Sequence, residues 1–206
     1  MQIELDDLNG SLRNNEIPVS NLQGNSLIIS PQLFDYLKEF NLPLIFKQSE
    51  LSENRDGRYS TTGFYIKIYN LADSYIEKAT GISLLENLKN PAHLLFINER
   101  FNTPVSESLL FSMGVSTPED IRAITKLTYK LNAVMRTFFE RRNVELVSFI
   151  TRFLVFEGKF FIDGDFRYDD LLLAPVSEDK KIVSHIKKQS KKSNEYYLNF
   201  ITKVLE

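Results

Sequence analysis

The sequence contains no cysteine and no tryptophan, and only two histidines among its 206 residues. Without thiols there can be no disulfide, no thiolate nucleophile and no cysteine-ligated metal. His93 and His185 stand far apart, so no histidine pair sits at zinc-site spacing. Charge of one sign is equally scarce, since 25 basic and 27 acidic side chains leave a net charge of −2. That balance supplies no general attraction to nucleic acid or to an anionic membrane. No apolar run approaches the roughly 18 residues needed to span a bilayer. The opening, Met1 to Asp7, has neither the basic start nor the apolar stretch of a secretory signal. A cytoplasmic location is therefore expected. A Gly-x-Ser-x-Gly nucleophile elbow is also absent.

What is present is an ordinary globular composition, 43% hydrophobic and 25% charged, with an unusual load of sixteen Phe and nine Tyr. The aromatics fall in segments of strand or helix pattern and predict a Phe-rich core. Tyr65-Ile66-Lys67-Ile68-Tyr69 has the interleaving that a base-stacking face requires, and it reads equally well as a strand.

Residues 1–26 are polar and rich in turn residues. Ser30-Pro31 predicts an N-cap and a first helical proline, with Leu33, Phe34, Leu37 and Phe40 on one helix face. A strand follows at Leu44-Ile45-Phe46. Residues 49–62 read as a polar loop centred on Asp56-Gly57, and Gly63 to Tyr69 as a strand. Ala72 to Thr80 predicts a helix stopped by Gly81, Ala92 to Ile97 a strand, and Pro104 to Met113 a helix closed by Gly114. The strongest helix runs from Pro118 to about Arg142. Thr117 is its N-cap with Asp120 completing a capping box, and Ile121, Ile124, Leu127, Leu131, Val134, Met135 and Phe138 keep helical spacing. Val144 to Phe156 and Lys159 to Ile162 predict a hairpin turning at Glu157-Gly158. After an acidic loop, Ser177 would cap a last helix. The mixture argues an α+β (mixed α/β) fold in one domain, 1–206, with a division into a reduced N-terminal lobe (1–70) and a larger C-terminal lobe (71–206) also open.

The run from Ser116 to Phe161, with Met113-Gly114 ahead of it and Asn132 inside its helix, resembles the C-terminal half of the phosphoribosylaminoimidazole-succinocarboxamide (SAICAR) synthetase family. Upstream, Phe64 to Gly81 resembles the family's Val-Val-Arg-Asn motif and its glycine-terminated helix: Asn70, Ala72 and Gly81 match, Tyr69 takes the arginine position, and Ser74 or Tyr75 takes the serine of the turn. The resemblance implies the family's fold, and a chemistry joining aspartate to a carboxylated imidazole ribotide with ATP and Mg²⁺. It also identifies departures. The family's Asp-Phe-Lys-x-Glu-Phe-Gly strand becomes Ser148-Phe149-Ile150-Thr151-Arg152-Phe153-Leu154. Its paired aspartates become Glu99 and Arg100, and its later aspartate falls near Thr103. Its next acidic pair falls on Gly164 and Asp165, and of its Ser-Pro-Asp only Asp169 remains, after Arg167 and Tyr168. By the resemblance, Leu5-Asp6-Asp7 through Asn9-Gly10 would start where the family's ATP-covering hairpin has ended, so no counterpart of that hairpin is expected.

A reaction that gathers so many anions depends on cations and metal to neutralise them, and each such contact contributes about 3 kcal/mol or more. A truncated, divergent relative that has lost ligation, and serves as a small-molecule binder or a noncatalytic partner or regulator, is therefore expected. Catalytic residues are left unassigned. Ligand-binding candidates are Tyr69, Asn70, Ser74, Asp165, Arg167 and Asp169, with no metal site. No cofactor is expected, ATP and Mg²⁺ entering only if the family activity is retained. Two alternatives stay open: an enzyme of another reaction class in the same cleft, and ligation by a heteromer whose second chain supplies the ATP lobe. Partners would be a small molecule, a protein, or further chains in a homo- or hetero-oligomer, not nucleic acid or membrane. Asp163 to Asp170 could be a cation loop, but it lacks the glycine and terminal glutamate of a calcium loop, and a solvated loop is the simpler reading. Lys180-Lys181, Lys187-Lys188 and Lys191-Lys192 could be a solvated face or a docking strip for an acidic partner.

Overall fold

The computed structural model describes residues 31–45, 59–97, 103–164, 166, 167, 170–176, 200, 203 and 204. The expected N-terminal loops, the Asp56-Gly57 turn, Glu99, Arg100, Asp165, Asp169 and most of the expected last helix, with His185 and the lysine pairs, lie outside the described residues. In chain order the elements are α1 (Pro31–Lys38), β1 (Leu44–Ile45), β2 (Ser60–Leu71), α2 (Ser74–Thr80), β3 (Asn87–Phe96), α3 (Glu107–Ser112), α4 (Pro118–Glu140), β4 (Val144–Phe156), β5 (Lys159–Asp163) and β6 (Leu171–Pro175).

The strands form one mixed sheet in the order β1-β5-β4-β2-β3. β6 pairs with β4 at the opposite end from β5, and only β1 and β5 run parallel. Helix α4 lies across one face. It begins with the expected capping box: Asp120 N–H donates to Thr117 Oγ1, and Thr117 N–H donates to Asp120 Oδ2. Its apolar stripe, Ile121, Ile124, Leu131, Met135 and Phe138, buries against Phe64, Ile66, Ile68, Phe149 and Phe153 of the sheet. Leu33 and Leu37 of α1 join the same core. Phe40 does not, because α1 ends at Lys38 and the following turn leaves that ring 37% exposed. The β4–β5 hairpin turns at Glu157 and Gly158, both at positive φ (47° and 72°), as a two-residue primed turn requires.

Several elements differ from the sequence reading; α3, expected from Pro104, begins at Glu107, where Ser106 caps it. β2 begins at Ser60, so residues 60–62, expected as loop, are strand. Ser60 and Thr61 pair with Val155 and Leu154, and the ladder recruits residues whose polarity had argued for a loop. β3 begins at Asn87, five residues early, and runs through Pro91. It lies at the edge of the sheet, where a missing N–H leaves no ladder bond unmade. β6 had no expected counterpart. Its Leu171-Leu172-Leu173 run alternates nothing, yet it pairs with Val144 to Phe149 and buries Leu171 and Leu173 in the core.

Candidate functional site

The face of the sheet opposite α4 is set by strand alternation. In β2, Phe64, Ile66 and Ile68 turn toward the helix, so Tyr65, Lys67 and Tyr69 share the other face. The register places Phe96, Tyr65 and Arg152 in one row across β3, β2 and β4, and Leu94, Lys67 and Ile150 in the next. A third row holds Ala92, Tyr69 and Ser148, extended by Leu172 of β6. The Tyr65 and Phe96 rings stack at 5.2 Å with planes 9° apart.

Both cations that β2 and β4 bring to this face are neutralised. Lys67 Nζ donates to Asp73 Oδ2 at 2.8 Å and lies 4.8 Å from the Tyr69 ring centroid. The other Asp73 oxygen accepts the Tyr75 and Ile76 amides and so caps α2. That cap explains why α2 starts at Ser74 rather than at Ala72. Gly81, at φ 77°, ends it in the left-handed conformation that glycine adopts without strain. Arg152 Nη1 donates to both oxygens of Asp170 at 2.8 Å, and Asp170 also accepts the Arg167 amide. Ser148 Oγ, 1% exposed, has no hydrogen-bond partner among the described residues. Burial, aided by the Asp73 carboxylate, pushes the Tyr69 phenol well above the usual tyrosine range. It is thus a neutral group at physiological pH and not a base.

The sequence candidates do not all share this face. Tyr69 is on it, stacked 6.4 Å from Tyr75. Ser74 is buried at the first position of α2, and Arg167 is exposed beyond β5. Asn70 points the other way, into the helix layer. Its amide and that of Asn132 exchange hydrogen bonds at 2.9 and 2.8 Å, and Asn70 Nδ2 also donates to Leu146 O. Sequence reasoning missed Lys67, Asp73 and the Arg152–Asp170 pair. The first was legible: period-2 alternation puts Lys67 between two tyrosines on one face. The ion pairs were not, since they join residues whose proximity only folding creates. A cleft lined by Thr61, Thr62, Phe64, Val115, Ser116 and Asp120 lies at the other end of β2 from Tyr69, and its one carboxylate is used in the α4 cap.

His93 lies half-buried on the helix side of β3. Tyr129 donates its hydroxyl proton to Pro91 O at 3.1 Å, so His93 Nδ1, 3.0 Å from the same hydroxyl, must be the protonated nitrogen that donates to it. Burial holds the His93 pKa below the ordinary 6.5, and Glu107 opposes this only in part. The native state therefore binds fewer protons than the unfolded chain, and stability should fall as pH drops below about 6.5. The measurement is urea unfolding at pH 7.5 and 5.5. The drop in stability between them should be smaller for His93→Gln than for the parent, and an equal drop would refute the assignment.

No family model matches the chain. Over 117 residues it is 28% identical to the phosphoribosylaminoimidazole-succinocarboxamide synthase of Psychrobacter sp., a match covering 56% of this chain and 49% of that protein. The Cellvibrio japonicus synthase is 29% identical over 104 residues, covering 50% and 44%. The chain thus spans about half the length of the curated relatives it matches. Among solved structures, the Ehrlichia chaffeensis synthase superposes with a TM-score of 0.64 at 18% identity, covering 85% of this chain and 74% of that one. A SAICAR synthetase in complex with ADP gives 0.64 at 14% identity, covering 83% and 75%.

Proposed function

We propose that this chain, related in sequence to the SAICAR synthetases and sharing their fold, does not itself ligate aspartate to a carboxylated imidazole ribotide, and works instead as a small-molecule binder or noncatalytic partner. The observation that carries the reading is the state of the cations on the candidate face. Lys67 and Arg152 are each held by a buried carboxylate, and Ile150, which cannot donate a hydrogen bond, stands across from Lys67. Neutralised cations are poor counter-charges for a cluster of phosphates and carboxylates.

Magnesium fits these residues no better. Among the described residues, no group of three or more His, Asp or Glu side chains is arranged to hold a metal ion. Both oxygens of Asp73 and of Asp170 already accept hydrogen bonds. Tyr65, Tyr69, Phe96 and the Ser148 hydroxyl are all buried on this face, Tyr69 packed against Ala72 and Ile76, so a smaller, less charged molecule would reach them only by displacing what covers them. Arg167 is the exposed part of the proposed ligand-contact set, which also includes Asp165 and Asp169; Tyr69 and Ser74 belong to it only if the layer that buries them opens, and Asn70 holds the core.

The deciding experiment gives the purified chain ATP, Mg²⁺, aspartate and the carboxylated ribotide and follows ADP. Release no faster than in a protein-free control is expected. Sustained, aspartate-dependent ADP production by this chain alone would overturn the reading.

A further inference from the structure

The outer side of α4 faces away from the sheet and from the candidate face, and it is strongly basic. Arg122, Lys126, Lys130, Arg136 and the capping Arg141 are all exposed there. Only Glu119 and Glu140 offset them, in a chain whose net charge is −2. At 1.5 Å per residue, the strip from Arg122 to Arg141 is about 28 Å long. Among the described residues neither acid forms an ion pair with it, although Glu119 and Arg122 are three residues apart, and Arg136 and Glu140 four. Lys130 donates to Asn41 O, and Arg141 lies 5.8 Å from the Tyr36 ring. Asp35 and Glu39, from α1 and its C-terminal turn, form no ion pair with the strip among the described residues.

Helix stability does not account for this pattern. Cations near the C-terminal end gain from the helix dipole, which covers Arg141 and in part Arg136. Arg122 and Lys126 lie toward the positive end, where the dipole gives them nothing. Arg122, Lys126 and Lys130 are also spaced i, i+4, i+8, an arrangement in which like charges destabilise a helix. An anionic partner would turn this repulsion into attraction. Between the cations lie Ala123 and Ala133, both exposed and small enough to let another backbone approach closely. The strip offers no exposed aromatic ring on which bases could stack, since Tyr129 is half-buried and bonded to His93 and Pro91.

We propose that the outer face of α4 is a docking strip for an acidic helical segment of a partner protein, laid along α4 with its carboxylates in i, i+4 register with the cations. The inference does not rest on loss of ligation, because the strip and the candidate face are on opposite sides of the helix-and-sheet sandwich.

The probe is a synthetic alanine-based helical peptide with glutamate at every fourth position, titrated against the full chain at low and at physiological salt. Saturable binding that weakens with salt is expected. The combined change Arg122→Glu, Lys126→Glu, Arg136→Glu should weaken it at least about tenfold. The matching glutamine substitutions, which keep the helix uncrowded by new charge, should weaken it less but in the same direction. Lys78→Glu with Lys89→Glu, away from the strip, should change it little. The proposal falls if the peptide fails to bind, or if both α4 variants bind it as well as the parent, as docking on the C-terminal lysines would give. It also falls if a single-stranded oligonucleotide of equal charge binds as tightly and loses affinity in the same variants.

Discussion

Asn132→Leu should remove about 3 kcal/mol of folding stability. Asn132 is 2% exposed and Asn70 is 3% exposed. Their two amides form a closed reciprocal pair that links α4 to β2, and the Leu146 carbonyl ties in β4. Leucine matches the volume but offers neither donor nor acceptor. Asn70 Oδ1 would then lose its donor in a place water does not reach, and one of its N–H groups would lose its acceptor. For a chain of this size the change corresponds to a fall in Tm of roughly 6–12 °C. The double variant Asn70→Leu, Asn132→Leu should recover part of the loss, because both partners leave together and only Leu146 O is orphaned. Urea denaturation of the four proteins gives the cycle. A single-variant loss under about 1 kcal/mol, or strict additivity, would show that the pair is not coupled as the geometry requires.

Arg152→Ala should cost about as much, roughly 3 kcal/mol, for an electrostatic reason. The Asp170 carboxylate is 3% exposed, and Arg152 supplies hydrogen bonds to both of its oxygens. Truncation leaves a charge in the interior with its principal counter-ion gone. The reverse change should be cheaper, because the Arg152 side chain is 23% exposed and its guanidinium can take up water when Asp170→Asn removes the partner. Arg152→Glu restores the carboxylate that the family resemblance expects in this strand. It should nevertheless be the worst of the three, since it sets two carboxylates against each other. Chemical denaturation fixes the order: Glu worst, then Ala, then Asp170→Asn. If Asp170→Asn proved the most damaging, the pair would owe its value to the loop it anchors through Arg167, and not to the buried charge.

These two pairs mark the boundary of what could be read without coordinates. Helix α4, to its cap, and the β4–β5 hairpin were legible because their determinants are local: the Thr117–Asp120 box and the 3.6-residue apolar spacing for the helix, and the glutamate-glycine turn for the hairpin, all act within a few residues. Boundaries failed where a neighbour overrode a local preference. Polar residues 60–62 became strand because β4 was there to pair with them, and Pro91 was admitted because β3 is an edge. The candidate site divides in the same way. Alternation in β2 separates Tyr69 from its neighbour Asn70 onto opposite faces, although the two are adjacent in the sequence and were grouped as ligand contacts.

The sequence by itself determined the helix, the hairpin, the apolar stripe and the kinship, since each is written in spacings of two to four residues or in motif order. Only the tertiary structure decided which charges meet. Lys67 finds Asp73 around the end of a strand, Arg152 finds Asp170 across a turn of chain, and Asn70 finds Asn132 sixty-two positions away. Electrostatic and hydrogen-bond partners depend on distance through space, which spacing along the chain does not encode.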